Sequence, residues 1–382
     1  MERIEATNAD RISWCCQQFG ITPLELAAEV GISERTIEKA MDGAAALTFA
    51  QLKRIADYFG RGVLFFLEQD PVEEQDVYTP QFRTLTNQKP NISKKIRLLI
   101  QRAEHQRNIY LGLREDLADE SWSRFQLPSV VPPEPHAAAE VARNWLNLTT
   151  QSSFEEYRTA VESRGILVFR SNGYNGKWQI SKDSPIIGFS LYDAQCPLIV
   201  VKKEAAEARQ TFTLMHELGH ILMHRASWID EESDLYSRQG GERQANAFAG
   251  YLLVSDNRLA QVQDNLRPSQ VSQYDLWLEP FRNAWGASVE VILRRLLDEN
   301  RLSQADYNAY REWRRETARP SEDGGNRMYR HREPMHVFGD TFVRTVLDAL
   351  DAQQISLSKA SNYLDSLRIK DLHLLGQYYA SH

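Results

Sequence analysis

The first 68 residues carry short apolar patterns with the spacing of amphipathic helices. Apolar side chains recur at three- and four-residue intervals through Leu24–Val30 and Leu52–Phe59, which places them on one face of each helix. Gly31 ends one helical pattern and Ser33 can cap the next, because a serine oxygen accepts from the free amides of a first turn. The segment predicts a compact helical bundle that contains a helix, a tight turn and a second helix.

The rest of the chain mixes longer helical patterns with three short apolar runs. Polar connectors occur at 71–91 and at Leu127–Pro135, where four prolines stand in nine residues and each fixes a backbone dihedral. The apolar runs Ile166–Phe169, Ile186–Leu191 and Leu198–Val201 are typical of strands in one small sheet. Helices are predicted at Ser93–Ala118, His136–Leu146, Phe154–Arg164 and Ala205–His224, from Glu242 onward, and at Val337–Tyr379.

These patterns predict an α+β chain that is mostly helical and divided into four segments. Residues 1–70 form the helical bundle, 71–135 a helical connector, 136–317 a domain with a small sheet, and 318–382 a helical C-terminal segment. The hydrophobic share of 42% and the charged share of 25% lie in the range of globular proteins.

Charge and cysteine content narrow the class of protein. The net charge of −7 gives no overall basic field, so contact with nucleic acid would need a local patch. Cys15 and Cys16 are adjacent and Cys196 is distant, which matches neither a disulfide framework nor a CxxC metal pattern. The acidic start, MERIEATNAD, differs from a signal peptide, and no stretch reaches the ~20 apolar residues of a membrane span. The sequence predicts a cytoplasmic protein with no membrane partner.

The segment Phe212–His224, FTLMHELGHILMH, carries the strongest chemical pattern. On a helix, His216 and His220 are four residues apart and project from one face at a separation that suits metal chelation. Histidine is a usual zinc ligand, and a carboxylate beside a zinc site can act as general base toward water. We therefore predict Zn²⁺ as cofactor, Glu217 as general base and a zincin-like layout.

A second helical pattern, ERQANAFAGYLLV, supplies the candidate third ligand. Catalytic zinc usually has three protein ligands, and Glu242 at the start of this pattern is the candidate. Asn246 lies one turn later, and its side-chain oxygen is predicted to accept a hydrogen bond from a ligand imidazole. Gly219 costs about 1 kcal/mol relative to alanine within a helix, which predicts close packing against this second helix. For His224 we favour a role at the helix end or in the pocket over a ligand role.

The segment between these two helices, WIDEESDLYSRQGG, is predicted to be a flexible acidic loop. Its run Asp230–Asp234 has two interpretations. The run could rim the active-site cleft and favour basic substrates, or it could be a solvated surface.

These motifs together resemble the ImmA/IrrE family of zinc metallopeptidases, in the long form with an Xre-like helix-turn-helix at its N-terminus. The resemblance is carried by RQTFTLMHELGHILMH at Arg209–His224, ERQANAFAGYLLV at Glu242–Val254, GFSLYD from Gly188 and PLIVV from Pro197. It implies that His216, His220 and Glu242 bind zinc and that Glu217 activates water. Relatives in that family cleave or release repressor proteins. The C-terminal segment also looks like the tail of long-form members, for which we assign only helical packing or partner binding.

The segment Leu24–Lys39, LELAAEVGISERTIEK, is similar to Xre/Cro-type helix-turn-helix domains, whose second helix enters the major groove. Residues 1–70 nevertheless hold seven Lys or Arg against eleven Asp or Glu. Ala40 and Met41 also stand where that family usually has Trp-Glu. Because phosphate contacts supply much of the affinity for DNA, operator binding and protein docking both stay open for this bundle. The side chains that would face bases or phosphates are Ser33, Arg35, Thr36 and Lys39.

Two hypotheses of different classes follow. The first is a zinc endopeptidase that cleaves a regulatory protein such as a transcriptional repressor or antitoxin, in a chain that can also be bound to DNA. The second is a non-catalytic DNA-binding regulator or antitoxin, with a structural or vestigial zinc site, that acts on a cognate toxin. Operator DNA and a second copy of this chain are further candidate partners. An intact general base at Glu217 favours the enzyme, because a purely structural site does not need it.

Overall fold

The chain forms two compact units, Met1–Arg102 and Ala103–His382, each with its own hydrophobic core. The computed structural model describes residues 3–5, 7–19, 21–72, 79–89, 92–117, 124–173, 176–237, 239–317 and 327–381. Within them, no helix is both long and apolar enough to cross a bilayer. The division into four segments and the cytoplasmic location stay predictions.

The first unit is helical. Its core is formed by the buried faces of successive helices, with Leu26, Ile37 and Leu52 almost fully enclosed. A 3₁₀ turn at Val63–Phe66 follows the fourth helix. The helices are α1 Ala9–Gln18, α2 Pro23–Val30, α3 Glu34–Met41, α4 Phe49–Phe59, α5 Pro80–Gln88 and α6 Lys94–Asp116, which contains the boundary between the units.

Local capping explains the turn between α2 and α3. Thr22 and Glu25 form a reciprocal capping box at the start of α2, which satisfies two free amides of its first turn. Gly31 then takes the left-handed conformation, with φ 60°, and the Ser33 side chain accepts from the backbone amide of Thr36. The predicted helix, turn and helix are present at these residues. Their assignment as a DNA-binding motif stays a prediction.

The second unit combines a small mixed sheet with many helices, so the predicted α+β class is confirmed. The strands are β1 Leu167–Arg170, β2 Ile186–Leu191, β3 Leu198–Val201 and β4 Trp228–Glu231, in the order β1-β3-β2-β4. Strand β1 runs parallel to β3, whereas β2 is antiparallel to both β3 and β4. The helices are α7 Pro135–Trp145, α8 Phe154–Glu162, α9 Glu207–Gly219, α10 Gly240–Leu253, α11 Asp256–Leu259, α12 Tyr274–Trp285, α13 Val289–Asp298, α14 Gln304–Thr317, α15 Glu333–Asp351, kinked at Gly339, α16 Leu357–Tyr363 and α17 Ile369–Ala380.

Side chains on both faces of the sheet are buried, which explains why its first three strands read as continuous apolar runs. On one face, Val168 joins the core that contains Leu214 of α9. On the other, the Phe169 ring lies 5.5 Å from Phe338 and 5.7 Å from Phe342, measured between centroids. These two phenylalanines belong to α15, so the C-terminal segment packs on the sheet.

The structure corrects two local expectations. Trp228–Glu231 was predicted as part of a flexible acidic loop, but it is strand β4, hydrogen-bonded to β2. The predicted helix Ala205–His224 is an α-helix only over Glu207–Gly219 and continues as a π-helical turn over His220–His224. Pairing with β2 satisfies the backbone of Trp228–Glu231, and this long-range contact overrides its polar local composition.

Candidate metal centre

Helix α9 and the π turn that follows it carry His216, Glu217 and His220, and all three side chains are fully buried. The other face of this segment anchors it, because Leu214, Met215 and Leu218 pack in the main core. The change from α to π geometry begins at His220. Such π turns within helices are frequent at functional sites.

Four potential metal ligands converge here: His216, His220, Asp230 and Glu242. The Nε2 atoms of the two histidines lie 3.0 Å apart. Asp230 Oδ2 lies 3.2 Å from His216 Nε2 and 3.6 Å from His220 Nε2. Glu242 Oε2 lies 3.2 Å and 3.7 Å from the same two atoms. The three predicted ligands are therefore brought together, with a carboxylate that the sequence had not singled out as a ligand.

Unpartnered polar atoms show that these residues fit a cation. His216 Nδ1, both carboxylate oxygens of Asp230 and Glu242 Oε2 are buried and have no hydrogen-bond partner among the residues that the structure describes. A buried carboxylate without compensation is costly, and metal coordination is one of the few ways to satisfy it. Two imidazoles and one or two carboxylates are a donor set that zinc accepts.

A β-bulge and a glycine lie beside the carboxyl groups of Asp230 and Glu217. Gly188 of β2 stands opposite Asp230 of β4, and the register between the two strands shifts just beyond this pair, between Ile186 and Gly188. Bulges of this kind re-aim side chains and are common beside active sites. A Cβ added at Gly188 would lie 2.8 Å from Glu217 Oε1. The absence of a side chain at Gly188 thus makes room for the Glu217 carboxyl group.

Burial and neighbouring charge shift the protonation of these groups. Burial raises the pKa of Glu217 well above its ordinary value, and the negative charge of Asp230 raises it further. For His216, burial acts to lower the pKa, but the Asp230 and Glu242 carboxylates outweigh it and raise the pKa to about 9. In Asp230, burial acts to raise the pKa, but the facing His216 outweighs it and lowers the pKa. The carboxylates of Asp230 and Glu242 therefore favour a positive charge among the converging donors.

Partners around His220 differ from those predicted. His220 Nδ1 lies 2.9 Å from His224 Nδ1, and the Trp228 ring stacks on the His220 ring at 4.3 Å. The Asn246 amide nitrogen instead donates to the carbonyl of Asp234, at 2.9 Å. Asn246 Oδ1 has no hydrogen-bond partner among the described residues, so its predicted bond to an imidazole is not formed. His224 is the last residue of the π turn, at the helix end predicted for it.

Close packing of α9 against α10 is confirmed at Gly219. A Cβ added there would lie 3.0 Å from Phe248 Cδ1 and 3.3 Å from the Cα of Ala245. Both distances are tighter than ordinary van der Waals contacts, so a larger residue would push the helices apart. This approach brings Glu242, near the start of α10, to the two histidines of α9.

The residues predicted to face DNA belong to the first unit, whose hydrophobic core is separate from that of the unit containing the metal centre. Ser33, Arg35 and Lys39 are exposed and Thr36 is half-buried. Ser33 Oγ lies 2.7 Å from Thr36 Oγ1, so both hydroxyls are engaged in capping α3. Arg35 and Lys39 are the charged side chains of this set that α3 presents to solvent.

Comparison with known proteins supports the class of the second unit. Residues 161–297 match the model of the family described as the IrrE N-terminal-like domain, a metallopeptidase family. An 81-residue stretch is 37% identical to uncharacterized immunity region protein 2 of Bacillus phage phi105, covering 21% of this chain and 51% of that protein. The chain thus spans about half the length of this curated relative. The centre containing His216, Glu217, His220 and Asp230 lies within the matched region, as does Glu242.

Proposed function

We propose that the chain is a zinc-dependent endopeptidase that cleaves a regulatory protein. The observation that carries the proposal is the convergence of His216, His220 and Glu242 beside the fully buried Glu217. The match of residues 161–297 to a metallopeptidase family supports the same reaction class.

Each residue has a distinct part in this proposal. His216, His220 and Glu242 would hold the ion, which when bound supplies Lewis-acid activation of water and of the scissile carbonyl. Glu217 accepts a proton on its carboxylate and returns it to the leaving amine. For a general base, position comes before pKa, and Glu217 directly follows the proposed ligand His216 on α9.

The substrate class is proposed from the relative. That protein is named for an immunity region of a phage, and relatives in the family that the motifs resemble cleave or release repressor proteins. We therefore propose a transcriptional repressor or an antitoxin-like protein as substrate. Incubation of the purified chain with the regulator encoded beside it, followed by mass analysis of the fragments, tests this substrate class.

A second candidate function is a non-catalytic regulator, which binds operator DNA or a cognate toxin and uses zinc only for structure. It is favoured by the fourth donor, Asp230, because structural zinc sites have four protein ligands and catalytic sites usually have three. An intact Glu217 next to the donors favours the enzyme instead. Cleavage that depends on Glu217 distinguishes the two.

Replacing a proposed ligand is expected to remove the metal. His216→Ala and Glu242→Ala should retain less zinc than the wild type, which keeps one ion per chain, after dialysis against a weak chelator. Elemental analysis measures the zinc content. The matched control is His136→Ala, because His136, Glu140 and Asp256 form a second, more exposed group of potential ligands. Zinc that disappears from the His136 variant and stays in the His216 variant would refute the proposed site.

DNA binding by the first unit is a separate proposal, supported by the exposed Arg35 and Lys39 on α3. The double replacement Arg35→Ala with Lys39→Ala is expected to weaken operator binding and to reduce its salt dependence, because each lost phosphate contact lowers the salt slope by about 1. A gel shift with the promoter of the chain's own gene, over a salt series, measures both. Lys53→Ala, an exposed cation on α4, is the control. A wild-type chain that shifts no promoter fragment would leave protein docking as the role of this bundle.

A further inference from the structure

Asp230 is fully buried, whereas a carboxylate at the rim of a cleft would be partly exposed to solvent. Its side chain is 0% exposed and lies on strand β4 rather than in a loop. Among the described residues it forms ion pairs with the imidazoles of His216 and His220, and with no lysine or arginine. A carboxylate in such surroundings is costly unless a cation is present.

Five of the six separations between the four donors lie near those of one tetrahedral ion with four protein ligands. An ion about 2.0–2.1 Å from each of four tetrahedral ligands sets those ligands roughly 3.3–3.4 Å apart. The measured separations are 3.0 Å between the histidine Nε2 atoms, 3.2 and 3.6 Å to Asp230, and 3.2 and 3.7 Å to Glu242. Asp230 and Glu242 are related to the two imidazoles in nearly the same way. Geometry therefore gives no reason to count Glu242 as a ligand and exclude Asp230.

We propose that Asp230 is a fourth zinc ligand, which closes the centre in the resting protein. Four protein donors saturate a tetrahedral ion and leave no position for solvent or for a substrate carbonyl. Glu217 is then in place but has no water to act on. Cleavage would then require Asp230 to leave the ion; it lies on β4, the terminal strand of the sheet, which pairs with β2. This inference rests on the proposed zinc site and adds a latent state to it.

Cobalt substitution tests the closed centre without relying on activity. The full-length chain and three variants, Asp230→Ala, Asp230→Asn and Asp234→Asn, are loaded with Co²⁺ and titrated with acetohydroxamate, which binds through an open metal position. Asp234→Asn is the matched control, because it makes the same chemical change four residues away, where Oδ2 accepts from the amide of Glu231 and is not a donor of the centre. The visible cobalt bands report coordination number, and competition with a chelator reports metal affinity.

We expect the wild type and Asp234→Asn to show four-coordinate cobalt that acetohydroxamate does not perturb. Asp230→Ala should admit acetohydroxamate and bind zinc at least about tenfold more weakly, since even losses of residues outside the ligand set cost 10–100-fold. If Asp230→Ala does not fold, Asp230→Asn decides, because asparagine preserves the volume and its amide is a poor zinc ligand.

The outcomes separate this inference from the proposed function. A wild-type cobalt form that binds acetohydroxamate as tightly as the Asp230 variants, with equal metal affinity, overturns the closed centre and leaves the peptidase proposal intact. A chain that takes up no stoichiometric metal overturns both. Access to acetohydroxamate only in the Asp230 variants supports the closed centre, and if those variants cleave nothing, the peptidase proposal alone fails.

Discussion

Glu217→Gln is expected to abolish peptide cleavage while the zinc content stays at the wild-type value. The amide has the same shape as the carboxylate but cannot accept a proton, and loss of a positioned general base typically costs 10²–10⁴-fold in rate. Glu217 is not among the four converging donors, so the metal should remain. The measurement is kcat/KM for cleavage of the neighbouring regulator, together with elemental analysis of each protein.

The comparison is sharpest in a background where the centre is open. Asp230→Ala with and without Glu217→Gln forms a matched pair in which the latent state no longer limits the rate. Asp234→Asn controls for the loss of a nearby negative charge. Equal cleavage by both members of the pair would show that Glu217 has no catalytic part, and the regulator with a structural zinc site would then be the better account.

Short-range signals were sufficient for much of this molecule. The apolar runs at Ile186–Leu191 and Leu198–Val201 predicted two strands at their observed bounds, and the first strand is shifted by one residue from its predicted start. Gly31 and Ser33 act where the capping rules place them. The caps are formed within three residues along the chain, and the strands appear as apolar runs because both faces of the sheet are buried, so each leaves a signal in the local sequence.

Local sequence patterns could not identify Asp230 as one of the converging donors. Its neighbours Glu231 and Glu232 make the segment look like a solvated acidic run, and only pairing with β2 turns it into a strand. The regular pairing of Gly188 with Asp230 and of Phe189 with Ile229 then fixes the face of the sheet on which Asp230 lies. Both events depend on contacts about 40 residues apart in sequence, and no local period encodes them. The one available signal, an aspartate directly after the apolar pair Trp228–Ile229, is common in ordinary loops.

For Asn246, the sequence predicted the wrong hydrogen-bond partner. Its spacing from Glu242 puts it on the same face of α10, but spacing does not fix which partner a side chain selects. The carbonyl of Asp234 lies within reach of its amide, and the π turn brings His224 to His220 instead. A pattern that assumes a constant α-helical period cannot predict the π geometry of His220–His224.

Gly286→Ala is expected to destabilise the second unit strongly. Gly286 ends α12 with φ 62°, and a left-handed conformation costs about 1–2 kcal/mol for an L-residue with a side chain. A Cβ there would also overlap the carbonyl oxygen of Ser152 and lie 2.8 Å from its carbonyl carbon. Backbone cannot move aside as a flexible side chain can, and overpacking adds about 1–3 kcal/mol. The combined loss, about 2–5 kcal/mol, is measured as a lower urea midpoint at an unchanged slope.

Gly240→Ala separates the two causes, because Gly240 has a similar φ of 58° but its added Cβ would meet no atom of the described part of the chain within 4 Å. The loss of unfolding free energy in Gly240→Ala should stay near the conformational cost of about 1–2 kcal/mol, and equal losses in the two variants would show that the close approach of Gly286 to Ser152 contributes nothing.

The contact between Gly286 and Ser152 matters for the metal centre because the chain just after Ser152 is hydrogen-bonded to α9. The amide of Phe154 donates to Glu207 Oε1 at 2.6 Å, at the first residue of the helix that carries His216. Displacing Ser152 therefore disturbs the helix on which zinc binding and Glu217 depend, and zinc affinity should fall together with stability in Gly286→Ala.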